Sequence, residues 1–146
     1  MGAMWTLADV ERAVRASWGV DTCDPVDRAD WHPGNPSRGQ CGVTALVLND
    51  MFGGELMLGE VRVAGERTGV HWWNRFGAGI EVDLTRDQFR PDEEIVGGET
   101  VQRPAGPPNR CREEYELLRE RVLLATAAPT MSPGGGPVPS SPAPPG

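Results

Sequence analysis

Leu7, Val10, Val14 and Trp18 recur at helical spacing and predict a first helix. Thr6 stands at the N-cap position, Asp9 falls in the first turn, and Gly19 supplies a stop. A second helical stripe, Val43, Leu46, Val47 and Met51, runs from Cys41 to near Phe52 and meets Gly53-Gly54 at its end. The period then changes to two. Leu56 and Leu58, then Val61 and Val63, alternate as in a strand, with a phase slip at Gly59 that a bulge would explain. Gly65 to Gly69 reads as a turn, and Val70–Phe76 with Ile80–Leu84 as a hairpin around Gly77-Ala78-Gly79. After Thr85 the periodicity weakens through Pro91 and Gly97-Gly98, and Pro104, Pro107 and Pro108 form a stiff connector. Asn109 is placed to cap a last helix in which Cys111, Tyr115, Leu118 and Val122 share one stripe. Helices, an antiparallel sheet and a closing helix make an α+β fold.

Two stretches escape this pattern. Asp21 to Arg38 holds four acids and three prolines with no sustained period. An irregular segment of that length inside a compact domain is more often functional than idle, and it reads as a wrap across the mouth of a site. Beyond Thr126 the chain is Pro, Gly, Ser and Ala with almost nothing to bury, so residues 127–146 are expected to be a disordered tail. Met1-Gly2-Ala3 before Met4 reads as an expression scar, which leaves residues 4–126 as one domain.

Composition narrows the class. A net charge of −7 over 146 residues argues against a nucleic-acid or anionic-membrane partner. No apolar run approaches spanning length, and the three cysteines are too few and too scattered for a disulfide framework. A reducing cytoplasm is the expected compartment. No glycine-rich phosphate motif follows a strand, so no cofactor is expected.

The candidate chemistry starts at Cys41. In the first turn of its helix, unpaired N–H groups and the positive end of the macrodipole favour thiolate over thiol. Strand parity then selects its partners. His71 and Trp73 share one face of their strand, and Asp83 shares a face with Glu81 on the next. A three-residue loop 77–79, with Gly79 left-handed, pairs Phe76 with Ile80 and brings His71 diagonal to Asp83 on one face. A two-residue loop would separate them. The set is that of nucleophilic catalysis: Cys41 attacks, His71 moves the proton, and Asp83 orients the imidazole. Backbone N–H groups at the helix start, with the Gln40 side chain, are the expected oxyanion donors. Trp31 and Trp73 are expected to line a substrate pocket, while Trp18 and Trp72 fit the core. Cys111 reads as a core residue and His32 as a loop residue. A zinc site from Cys23, His32 and Cys41 is disfavoured because no closely spaced cysteine pair exists.

The sequence resembles the small bacterial YunG-like family, whose members carry a GQC-x-VTALV stretch, a GGE stretch, a His-x-Trp-Asn-Arg run and an Asp-Leu-Thr-Arg. Here these are Gly39-Gln40-Cys41 with Val43–Val47, Gly53-Gly54-Glu55, His71–Arg75 and Asp83–Arg86. At one remove, Cys…His…Asp in this order is similar to the papain-like and transglutaminase-like enzymes. That likeness implies a small papain-like fold with Cys41 as nucleophile, His71 as base and Asp83 as orienter. The expected function is attack on an amide or thioester through an acyl-cysteine, ending in hydrolysis or in acyl transfer to an amine. The expected partner is an acyl substrate, a small molecule or peptide, free or carrier-bound. The competing reading is a non-catalytic binding module with a tryptophan-lined groove.

The tail yields the first test. It holds half of the chain's prolines and only Met131 and Val138 as larger apolar side chains, too little to offset its ordering entropy. Deleting everything after Thr126 should leave the melting temperature within a few degrees of the full chain. A larger drop in a calorimetric scan would show that the tail is part of the fold.

Overall fold

A computed structural model describes residues 5–127, so the expectations for the scar at 1–3 and for the tail beyond Ala127 lie outside the described residues. Three helices, α1 (Leu7–Ser17), α2 (Cys41–Phe52) and α3 (Arg112–Ala127), accompany four strands. The strands are β1 (Glu55–Val63), β2 (Glu66–Phe76), β3 (Ile80–Val82) and β4 (Glu93–Val101). They form one antiparallel sheet in the order β3-β2-β1-β4. This is the expected α+β class.

Helix α1 forms where the sequence places it. Thr6 Oγ1 accepts from the Asp9 N–H at 3.1 Å, and Asp9 Oδ2 accepts from the Thr6 N–H at 2.9 Å, a reciprocal capping box. Its inner face presents Val10 and Val14, both fully buried, to a core shared with Trp18, Val43, Val47, Leu48, Leu84, Leu118 and Val122. Each fully buried Val or Leu contributes about 1.5–3 kcal/mol. Helix α1 packs on α3, while α2 touches α3 on one side and β2 and β1 on the other. The N-terminal helices therefore do not both lie on the sheet, and α2 is the piece that joins the two layers.

The sheet follows the sequence in part. The bulge expected at Gly59 is present as a shift in the β1–β4 register between Leu58 and Glu60. The turn expected over Gly65–Gly69 is shorter. Ala64 and Gly65 both take positive φ, 52° and 83°, and close a tight hairpin, so β2 already begins at Glu66. Strand β4 is an addition. Its Gly97 and Gly98 have φ of 76° and 153°, which breaks the alternation from which a strand is read. Packing supplies the reason for the second glycine. A Cβ on Gly98 would lie 3.0 Å from the Trp73 ring.

Two elements shift at the C-terminal side. Helix α3 starts at Arg112, beyond the position that Asn109 would cap. Cys111 stands just before it with φ 58°, its carbonyl accepting the Tyr115 N–H at 2.9 Å. It is half-buried and does not belong to the buried stripe of Tyr115, Leu118 and Val122. The Asp21–Arg38 segment folds into short 3₁₀ turns, Val20–Thr22 and Pro25–Asp30, with a bridge between His32 and Asn35.

Gly54, between α2 and β1, shows how tightly the two layers join. Its φ is 79°, and a Cβ there would meet the Arg75 carbonyl oxygen at 2.5 Å. Gly54→Ala adds left-handed strain to that overlap, a cost of roughly 2–4 kcal/mol. The melting temperature should fall by about 8 °C or more. An unchanged melting temperature would mean that this junction yields freely.

Candidate functional site

The Gly77–Gly79 turn pairs Phe76 with Ile80, Arg75 with Glu81 and Asn74 with Val82, the odd-length register expected from the sequence. Gly79 is left-handed at φ 74°, and so is Ala78 at 67°. The register places the ring of His71, fully buried, against Asp83, with Nε2···Oδ2 at 2.7 Å. The other carboxylate oxygen accepts from the Thr85 N–H at 3.3 Å and from its hydroxyl at 3.4 Å, an Asx-type turn that aims Asp83. Arg86 approaches Oδ2 at 3.6 Å from the solvent side. Trp73 stacks on the imidazole, with centroids 5.4 Å apart, and Phe89 meets it edge-on at 4.7 Å. Nδ1, buried, has no hydrogen-bond partner.

Cys41 begins α2 and lines a cavity of about 610 Å³. Strand β3 ends at Val82, opposite Asn74, and so leaves the β2 edge open at Trp72. The backbone N–H groups of Trp72 and Gly42 turn toward the Cys41 sulfur there. Asn74 Nδ2 donates to the Ala45 carbonyl at 2.9 Å and holds α2 to the same strand. Cys41 and His71 do not hydrogen-bond. Burial works against the helix-start argument for a thiolate at rest and pushes the Cys41 thiol up to about 11. The Trp72 N–H opposes that shift, the Asp83 and Asp27 carboxylates add to it, and the Gly42 N–H lowers it.

Gln40 takes a different place from the one expected. It is fully buried, its Oε1 accepting from Thr22 Oγ1 at 2.8 Å and its Nε2 donating to the Gly19 carbonyl at 2.9 Å. Both ends of the amide are committed to the scaffold, and the side chain does not line the cavity. The two tryptophans chosen for the pocket are also displaced. Trp31 donates from Nε1 to the Pro36 carbonyl at 3.0 Å and stays off the cavity wall. Trp73 is buried, donates to Glu81 at 2.8 Å and lines a separate recess of about 360 Å³. Trp72 lines the cavity instead, because the parity that pairs His71 with Asp83 sends its neighbour to the α2 face. Alternation puts Trp72 and Trp73 on opposite faces but does not say which face α2 covers.

Sequence reading also missed Gln88 and Phe89, which both line the cavity. Gln88 Oε1 accepts from the Gly39 N–H at 3.1 Å, its Nε2 donates to the Thr85 carbonyl at 3.1 Å, and its own carbonyl accepts from Asn35 at 3.0 Å. The segment that carries Asp83 is thereby stitched to the loop that delivers Cys41. The irregular loop contributes Asp24, Val26, Asp27 and Arg38 to the cavity wall. Cys23 is buried away from it, donating to the Arg38 carbonyl, and His32 is exposed with Nδ1 accepting from the Gly34 N–H. Among the described residues no three His, Cys, Asp or Glu side chains gather into a metal site. No helix among them is long and apolar enough to cross a membrane.

The class the structure shows is an α+β protein with a four-stranded antiparallel sheet, which carries a buried His–Asp pair, and a cavity-lining cysteine at a helix start. The chain belongs to the YunG family, whose model, described as YunG protein, matches residues 6–127. It is 34% identical over 114 residues to the Uncharacterized protein YunG of Bacillus subtilis (strain 168), covering 78% of this chain and 89% of that protein. No solved structure matches it significantly, and the papain-like fold expected from the resemblance gains no neighbour.

The thiol position generates a pH test. With Cys41 at about 11, its alkylation by iodoacetamide should keep rising from pH 8 to pH 10.5, since the thiolate fraction grows tenfold per unit below the pKa. Cys23, fully buried and pushed up to about 12, should remain unlabelled in the folded protein. A Cys41 rate that levels off below pH 8, read by peptide mass mapping, would establish a resting thiolate instead.

Proposed function

We propose that the protein is a cysteine enzyme that acts on an amide or thioester through an acyl-cysteine intermediate. One observation carries the reading: a fully buried imidazole, held at Nε2 by a carboxylate, keeps Nδ1 without a partner. Its ring lies off the cavity wall that Cys41 lines, so the reaction requires the two side chains to approach one another. Asp83 fixes the tautomer, so Nε2 carries the proton and Nδ1 is the basic nitrogen. With the Cys41 thiol raised by burial, the part that fits His71 in this reading is general base rather than partner in a standing ion pair. As sulfur bonds to the substrate carbonyl carbon, the thiol proton passes to Nδ1. The imidazolium then protonates the departing amine or thiolate as the carbon–heteroatom bond breaks. The Trp72 and Gly42 N–H groups are the donors at hand for the developing oxyanion, the role first expected of Gln40.

Water or an amine would resolve the acyl-cysteine. Asp24, Val26, Asp27 and Arg38 line the cavity, and an acyl group shielded from water behind them would favour transfer. The substrate would be a small molecule or peptide acyl compound, free or carrier-bound. Three free cysteines suit a reducing, cytoplasmic setting. The binding-module reading keeps one observation in its favour, the neutral thiol without a bond to His71.

An activated acyl ester separates the two. Intact mass should show one acyl adduct on the wild type and none on Cys41→Ala. Asp83→Asn should slow acylation by roughly tenfold to ten-thousandfold with the fold intact. His71→Ala should slow acylation and change the dependence of its rate on pH. No adduct on the wild type, or identical pH profiles for wild type and His71→Ala, would leave the binding module as the function.

A further inference from the structure

The cavity wall is apolar along Val43, Leu46, Leu56 and Trp72, and charged where Asp24, Asp27, Arg38 and Glu93 meet it. Two of those carboxylates are matched. Asp24 accepts from Arg110 Nη2 at 2.6 and 2.7 Å. Glu93 accepts from Arg38 Nη1 at 2.9 Å, from Arg38 Nη2 at 3.3 Å and from the Arg90 N–H at 2.8 Å. Asp27 is different. Its nearest cationic atom is Arg38 Nε at 3.8 Å, outside hydrogen-bonding range. That Nε is buried and has no acceptor, on a side chain only 10% exposed. Burial also raises the Asp27 pKa, against the pull of Arg38.

Asp27 and Arg38 Nε thus face each other as an ion pair too long for a hydrogen bond, and a donor and an acceptor so placed suit a group that accepts and donates along one edge. A carboxylate only accepts and an ammonium only donates. A trans peptide group sends its C=O and N–H in opposite directions. A primary carboxamide presents both on one edge.

We propose that Asp27 and Arg38 form a carboxamide-selecting subsite, the amide oxygen accepting from Arg38 Nε and the amide NH₂ donating to Asp27. The substrate class becomes an apolar acyl compound bearing a primary carboxamide, its body lying along Leu46, Leu56 and Trp72. This rests on the reading of the cavity as the substrate site, while binding itself does not require Cys41.

The test is calorimetric titration of the full-length Cys41→Ala protein with hexanamide, hexanoate, hexylamine and hexanol. Hexanamide should bind at least about tenfold more tightly than each of the other three, the scale of one or two net hydrogen bonds. Asp27→Ala in that background should remove the preference and leave hexanol unchanged. Arg38→Lys, which keeps a cation for Glu93 and deletes Nε, should do the same. Undetectable hexanamide binding, equal affinity for hexanol, or a preference that survives Asp27→Ala would overturn the proposal. Amide selectivity in a protein whose wild type never forms an acyl adduct would uphold this subsite and sink the enzyme. An acylating enzyme blind to the amide would do the reverse.

Discussion

The register between β2 and β3 is the constraint on which the site depends. An odd number of residues in the Gly77–Gly79 turn sets Asn74 against Val82, and alternation then carries His71 to the side of Asp83. One residue more or fewer would turn the carboxylate to the other face and leave a buried imidazole with neither nitrogen satisfied. The turn accepts strain to hold that count. Ala78, which has a Cβ, sits at φ 67°, a conformation that costs a non-glycine residue about 1 kcal/mol or more. The brevity of β3 matters as much. Because it ends at Val82, the outer edge of β2 is free at Trp72, and the first turn of α2 docks its sulfur there.

Around that register, buried amides rather than apolar contacts set the approach of the cysteine. Gln40, fully buried one position before Cys41, ties the chain to Gly19 and Thr22, while Gln88 ties Gly39 to Thr85. Gly39 is left-handed at φ 73°, and a Cβ there would lie 2.5 Å from Cys23 Sγ. The buried Cys23 thus acts as a spacer against which the backbone turns into α2. Polar networks of this kind hold one geometry because each broken bond leaves a buried group unpaired. The Gln40 side chain is accordingly structural, and the groups near the Cys41 sulfur come from β2 and the backbone of α2.

This division explains what was legible in the sequence. Helix α1, the stripe of α2, the bulge at Gly59 and the β2–β3 register each follow from local period and turn chemistry. So does the His71–Asp83 contact, since parity alone decides it. Strand β4 escaped because Gly97 and Gly98 interrupt the alternation, the second of them to make room for the Trp73 ring. The exchange of Trp72 for Trp73 in the cavity and the withdrawal of Gln40 depend on which face α2 covers, a tertiary fact with no local trace. The thiol illustrates the same limit with a sign. A helix start favours the thiolate by a few partial charges, but burial together with the Asp83 and Asp27 carboxylates outweighs it. Only the folded arrangement tells which term is larger.

The unsatisfied groups locate the remaining asymmetry. Among the described residues, the buried side-chain nitrogens and oxygens without a partner are His71 Nδ1 and Arg38 Nε. Each costs roughly 1–3 kcal/mol if nothing meets it. Both are held there by a second bond of the same side chain, to Asp83 in one case and to Glu93 in the other. Neither ring nor guanidinium can turn to relieve the open atom without breaking the bond it already makes. A fold that needed these residues for stability alone would place them where both ends are met, as it does for Gln40 and Gln88. Of the two exceptions, Arg38 lines the cavity that Cys41 shares, while His71 lies behind it, stacked on Trp73 and edge-on to the cavity-lining Phe89. Polar groups locked in place and left incomplete are the exceptions in a folded interior, and these two are the atoms on which the proposals for this site rest.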